Sequence, residues 1–266
     1  LAVSIGQDVA LCWNNGRGVF ETARVAGTGT EEIYSLSAAD ADNDGDIDLY
    51  ACRYKAGGVL SAVPYPYHDA RNGAPNIFWR NEGGRRLRVA TAEVGLGDNN
   101  DRFSYIGGWE DMDDDGDQDL YVVNDFGRNN FYLNDHGRFH DVAVERGCDD
   151  LASGMGVSIA DVNRDGNHDF YVTNMFSSAG RRIATQDDRF MGGENQELHQ
   201  YFVRHARGNS LLLSDGKGFF KDVTDEAGVA VGLWGWGSMF FELDNDGFPD
   251  IYAPNGFLTN KQTADL

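Results

Sequence analysis

The chain is short of basic residues: 22 Lys and Arg stand against 43 Asp and Glu, a formal charge of −21. Such a surface repels phosphate backbones and anionic headgroups, which argues against nucleic acid and anionic membranes as partners. It suits a cation binder or an extracellular setting. No apolar run reaches the ~18 residues that a membrane span needs. No secretory signal is present. Residue 1 opens directly onto the strand-like "LAVSIG", the expectation for a processed or truncated start. The three cysteines, Cys12, Cys52 and Cys148, form no CxxC pair, and an odd count cannot be all intrachain disulfide. At least one buried free thiol is expected; a Cys12–Cys52 bond stays open, since both residues sit in predicted strands. Only five prolines accompany 34 glycines, so turns are glycine-built. Long amphipathic helical patterns are scarce, which leaves an all-β reading of 266 residues with enough apolar content for one large core or two small ones.

What the chain has in abundance is aspartate at alternate positions. "DADNDGDID" (40–48), "DMDDDGDQD" (111–119), "DVNRDGNHD" (161–169) and "ELDNDGFPD" (242–250) share one pattern: oxygen ligands at loop positions 1, 3 and 5, glycine at 6 and aspartate at 9. Packed carboxylates repel and are costly to desolvate without a partner. A hard cation such as Ca²⁺ resolves the conflict, because it takes about six to eight oxygens. The expected ligands are the side chains of Asp40, Asp42, Asp44 and Asp48, of Asp111, Asp113, Asp115 and Asp119, of Asp161, Asn163, Asp165 and Asp169, and of Glu242, Asp244, Asp246 and Asp250. The backbone carbonyl of position 7 (Asp46, Asp117, Asn167, Phe248) adds another oxygen, and its side chain is then free to vary. These are not EF-hands: position 12 is Ala51, Val122, Val172 and Ala253 rather than glutamate, and β-prone runs follow each loop. About four Ca²⁺ sites are expected. Asn163 lowers the charge of the third, and Glu242 gives the fourth a longer arm.

A second repeat is interleaved with the first. "NNGRGVFETA", "NEGGRRLRVA", "NDHGRFHDVA" and "SDGKGFFKDV" each join a polar glycine turn to a strand opened by Phe20, Leu87, Phe139 or Phe220. From these anchors to the next acidic loop the distances are 20, 24, 22 and 22 residues; from each loop's ninth residue to the following anchor they are 39, 20 and 51. All length variation falls in one half of the unit. Inner strand, acidic loop, second strand, excursion, third strand, glycine turn and outer strand make the four-stranded antiparallel blade of a β-propeller. Residues 1–29 read as a partial blade, 30–97, 98–150 and 151–232 as blades, and 233–266 as a further partial blade.

The D-x-D-x-D-G-x-x-D loops resemble FG-GAP/VCBS repeats, as in the propellers of integrin alpha subunits. "LLLSDGKGFFKDVTDEAGV" resembles the cartilage-acidic-protein branch and its bacterial relatives. The resemblance implies a Ca²⁺-stabilised propeller, usually seven-bladed, that is secreted, periplasmic or on the cell surface. This chain covers about four to five such blades. A missing part of the same propeller, or other chains, completes it; a closed four-bladed ring is the other reading.

Excursions 53–75 and 176–208 are where recognition of an extracellular protein or glycan is expected, since insertions on one face of such folds carry binding. The second holds Arg181, Arg182, Arg189, Arg204 and Arg207, either a positive patch or partners for acidic blades. "PYPYHDARNG" (64–73) reads as a binding lip or as a rigid loop packed on a blade. Trp109, Trp234 and Trp236 adjoin predicted inner strands and are read as packing between blades rather than as a sugar platform. His168 is expected to point away from its loop, and His199 and His205 to be surface or packing histidines. No nucleophile motif or phosphate loop is present, and no catalytic residue is assigned. A noncatalytic binding scaffold is therefore expected. The alternative is a propeller enzyme of polysaccharide lyase or sugar dehydratase type, which a cluster of His68, His199 or His205 with acidic groups would favour.

Overall fold

A computed structural model describes residues 1–25, 31–55, 63–176, 178–184 and 195–256. Its strands form five antiparallel sheets, each a meander in chain order. The first holds β1 (Ala2–Ile5), β2 (Asp8–Asn14) and β3 (Phe20–Val25). The second holds β4 (Ile33–Ala39), β5 (Asp48–Arg53), β6 (Ile77–Asn81) and β7 (Leu87–Val89). The third holds β8 (Phe103–Glu110), β9 (Asp119–Asp125), β10 (Asn130–Asn134) and β11 (Phe139–Asp141). The fourth holds β12 (Gly154–Ala160), β13 (Asp169–Asn174), β14 (Ser210–Ser214) and β15 (Phe220–Asp222). The fifth holds β16 (Met239–Phe241) and β17 (Asp250–Tyr252). Each acidic loop joins the first strand of a sheet to the second, and each glycine hairpin joins the last two strands of the second to fourth sheets, as the motifs predicted.

The "LYAC", "LYVV" and "FYVT" runs show no polar alternation because β5, β9 and β13 are buried on both faces. Successive side chains of a strand point to opposite faces. Leu49 and Ala51 pack with Val9, Leu11 and Trp79 against the first sheet. Tyr50 and Cys52 pack with Phe78, Leu120, Val122 and Phe139 against the third. In β9 the split repeats, with Tyr121 and Val123 joining Phe131, Phe170 and Val172. In β13, Tyr171 joins Leu211, Phe240 and Ile251. Four apolar clusters result, one at each sheet–sheet junction, and the first strands β4, β8, β12 and β16 follow one another as neighbours.

Four helices occur among the described residues. One-turn helices α1 (Ala143–Arg146) and α4 (Thr224–Ala227) follow β11 and β15, ending at Gly147 and Gly228 in the left-handed region. The second excursion, where the sequence reading places no element, contains α2 (Ser178–Ala184) and α3 (Gln196–His205). The Asn195 side chain caps α3 by accepting the Leu198 N–H at 3.1 Å. Residues 56–62, 177 and 185–194, with Arg189 among them, lie outside the described residues.

All three cysteines are free thiols, Cys52 and Cys148 buried, so the Cys12–Cys52 bond left open above is not formed. Trp109 packs between the second and third sheets as expected and donates Nε1–H to Ser37 Oγ at 3.0 Å. Trp236 is instead 41 % exposed.

Gly95 gives a first test of the packing. Its φ is +93°, and a Cβ there would lie 2.2 Å from the Phe139 carbonyl oxygen, a backbone atom that cannot step aside. Gly16 also has positive φ, +82°, but open space around it. Gly95→Ala should cost about 3 kcal/mol or more, against about 1 kcal/mol for Gly16→Ala. Urea midpoints of the two variants check this; equal losses would mean that backbone conformation alone sets the cost.

Candidate functional site

The acidic loops are built the same way each time. The position-1 carboxylate accepts backbone N–H groups from across the turn: Asp40 takes Asp44 and Gly45 at 3.1 and 2.9 Å, Asp111 takes Asp115 and Gly116 at 3.1 and 2.9 Å, and Asp161 takes Asp165 and Gly166 at 3.0 and 2.9 Å. In the fourth loop Glu242 takes the Asp246 N–H at 3.0 Å. Position 5 accepts the position-7 N–H in all four loops at 2.8–2.9 Å. The loop glycines have φ of 87–95°, the freedom the sequence assigned to them. Position 4 (Asn43, Asp114, Arg164, Asn245) is also left-handed, which sequence reading missed. Asn or Asp at three of those four positions was the available signal.

Position 9 does something the motif did not reveal. Both oxygens of Asp119 accept backbone N–H groups, from Met112 at 3.0 Å and Asn134 at 2.8 Å. Asp48 holds Ala41 and Asn81 in the same way, and Asp169 holds Val162 and Ser214. This carboxylate ties the start of its loop to the end of the third strand. Burial pushes Asp119 up to about 7 and Asp48 up to about 6, with the amides opposing.

Position 3 is different. In the first two loops Asp42 Oδ1 and Asp113 Oδ1 are buried with no hydrogen-bond partner. One oxygen each from Asp40, Asp42 and Asp44 lies within 4.8 Å of the others, and the same holds for Asp111, Asp113 and Asp115 and for Glu242, Asp244 and Asp246. In the third loop Asn163 Nδ2 donates to Asp165 Oδ2 at 2.9 Å, an internal partner that the first two loops do not provide. The donor set fits a hard cation: carboxylates converging, all oxygen, with orphaned oxygens in the two most buried loops. Two position-7 side chains reach a neighbouring loop. Asp117 accepts from Asn43 Nδ2 at 2.7 Å and from His136 N at 2.7 Å, and Phe248 lies 5.1 Å under the Arg164 guanidinium. Neighbouring loops thus touch along one edge. His168 Nδ1 faces Glu110 Oε1 at 3.3 Å, away from its own loop.

The excursions leave from the opposite ends of the strands, and they meet. His68 stacks on Tyr201 of α3 at 5.4 Å, and His205 Nε2 donates to the His68 carbonyl at 2.9 Å. Asp69 is held by Arg102 at 2.5 Å and Arg128 at 3.5 Å, and Arg128 also pairs with Asp149. Burial pushes Asp69 up, but the two arginines overcome it and hold the carboxyl below its ordinary range. Burial lowers His205, keeping the ring neutral. Arg207 is tied to Asp222 at 2.6 Å, while Arg181 and Arg182 are exposed in the last turn of α2.

At the same end, Tyr54 donates to Asp125 Oδ2 at 2.7 Å. Burial raises the Asp125 carboxyl to about 6, against hydrogen bonds from Tyr54 and the Phe126 N–H that lower it. A folded value above the unfolded one means that the folded chain binds more protons between about pH 4 and 6. Stability from this group is full below that window and is lost as pH rises through it. Asp125→Asn should match wild type near pH 4 and exceed it by about 3 kcal/mol above pH 6. Paired thermal melts across that range measure the difference, and a difference independent of pH would refute the assignment.

No helix among the described residues is long and apolar enough to cross a membrane. No curated protein matches the sequence. The family model of the FG-GAP-like repeat matches residues 1–51 and 111–172, segments that hold the first sheet, the first acidic loop, β9 and the second and third acidic loops. Over those two segments the chain is similar to the FG-GAP-like repeat, and the same strands recur between and after them, with the fourth acidic loop after.

Proposed function

We propose that the chain is a Ca²⁺-stabilised β-propeller, or part of one, acting outside the cytoplasm as a noncatalytic binding scaffold. The observation that carries the metal is the pair of buried, partnerless oxygens on Asp42 and Asp113, each beside two further carboxylates. Leaving such an oxygen unpaired costs about 1–3 kcal/mol, more when it is charged, and a cation removes that cost. Positions 1, 3 and 5 and the carbonyl of 7 are the core ligands. Position 9 fixes the loop and keeps free lone pairs for the ion. Recognition of a protein or glycan belongs to the opposite end, where both excursions gather and the repeat's constraints are absent.

The enzyme reading gains one observation, since His68, His205 and Asp69 do come together. Asp69 is held by Arg102 and Arg128 and His205 Nε2 by the His68 backbone carbonyl, while His205 Nδ1 is buried without a partner, so the three side chains are not joined as an acid–base couple. Elemental analysis after dialysis against trace Ca²⁺ should give about four ions per chain. A chain that holds no Ca²⁺ would overturn the reading.

A further inference from the structure

We propose that a strip of tyrosines at the excursion end binds an uncharged carbohydrate chain, an inference that rests on the scaffold reading and names its ligand. Tyr34 opens β4, Tyr54 follows β5 and Tyr105 lies early in β8, so all three reach the end away from the acidic loops. Tyr34 stacks on Tyr54 at 5.1 Å and 23°. Tyr105 meets both edge-on, at 5.8 and 5.0 Å. The strip continues through Phe103, 5.2 Å from Tyr54, and Phe126, 5.9 Å further on, to Tyr67 of the first excursion at 5.1 Å. Phe103 is fully buried, whereas Tyr34 and Tyr67 are 45 and 55 % exposed. A buried base thus holds exposed rings in place, so little freedom is lost when a ligand lands on them.

The chemistry points to sugar. An aromatic face accepts the C–H face of a pyranose, and phenol hydroxyls at its rim exchange hydrogen bonds with sugar hydroxyls. Charge separates this ligand from a cationic peptide. Fifteen of the chain's carboxylates sit at loop positions 1, 3, 5 and 9, at the far end. Beside the strip most charges are matched: Arg53 lies 3.5 Å from Glu31, Asp69 and Asp149 are paired with Arg102 and Arg128, and the buried Asp125 is held by the Tyr54 hydroxyl. Lys55 Nζ stands 5.9 Å over the Tyr54 ring. A cationic partner is drawn to the acidic loops; a neutral polymer has no reason to avoid the tyrosines.

Native electrophoresis through gels cast with xyloglucan, glucomannan, hydroxyethylcellulose or dextran, in the presence of Ca²⁺, tests the site. The wild-type chain should be retarded by at least one of these polymers. Tyr34→Ala combined with Tyr67→Ala should weaken that binding about tenfold or more. Phe219→Ala, which removes an exposed ring from the glycine-hairpin end, should leave it unchanged. Should the double variant melt early, Tyr34→Ala alone carries the test. No retardation by any polymer overturns the proposal, as does retardation that survives loss of the tyrosines or disappears with Phe219. Release of sugar fragments into solution would instead overturn the scaffold reading itself.

Discussion

Removing Ca²⁺ with EDTA should lower the melting temperature by about 20 °C or more. A ligand bound only by the folded state adds about 2.7 kcal/mol per site at a hundredfold excess over Kd. Four such sites reach about 11 kcal/mol, comparable with the whole stability of a typical domain. At about 2–4 °C per kcal/mol for a chain of this size, that is a shift of tens of degrees. Repulsion among the loop carboxylates adds to it once the ions leave. Asp113→Ala should lower the melting temperature in Ca²⁺ and have little effect in EDTA, because the Oδ1 it removes has no partner within the protein. Asp98→Ala, at an exposed carboxylate outside the loops, should be neutral in both. Equal responses of the two variants, or indifference of the wild type to EDTA, would mean that the loops are solvated acidic turns.

Asp119→Ala should behave in the opposite manner, costing about 4 kcal/mol in EDTA as well as in Ca²⁺. The substitution strands the N–H groups of Met112 and Asn134, and each buried donor left unpaired costs about 1–3 kcal/mol. It also unties the second loop from β10. Asp119→Asn keeps one acceptor oxygen and should recover about half of the loss. Urea titrations with and without chelator separate this structural carboxylate from the ligands at positions 1, 3 and 5. A loss that vanishes in EDTA would return Asp119 to the role of metal ligand alone.

The parts of this fold legible in the sequence are those that repeat. Four registers of aspartate and glycine marked where first strands end, and four polar glycine turns marked the hairpins. Continuous apolar runs after the loops marked the buried second strands. What stayed hidden depends on partners distant in sequence. Asp48 and Asp42 look alike on paper, yet one meets the Asn81 amide and the other leaves an oxygen alone. Tyr34, Tyr54, Tyr67 and Tyr105 belong to three sheet-forming segments and an excursion, and no local pattern announces that their rings form one strip. Helix α3 breaks the repeat, so no register announces it, although Asn195 and the apolar side chains of "LHQYFV" carry its cap and one face.

The double burial of β5, β9 and β13 imposes a rule of parity on the gene. Deleting one codon within β9 would hand Tyr121 and Val123 to the cluster that Leu120 and Val122 fill, and the reverse, so one small lesion spoils two junctions. Only even changes preserve the facing, and these shorten the ladder. The segments that leave the far ends of β5 and β13 answer to no such rule. New sequence can be spliced there in any length, odd or even, without disturbing which neighbour each buried side chain belongs to. Inheritance of new surface is therefore cheap at that end and nearly forbidden a few residues away.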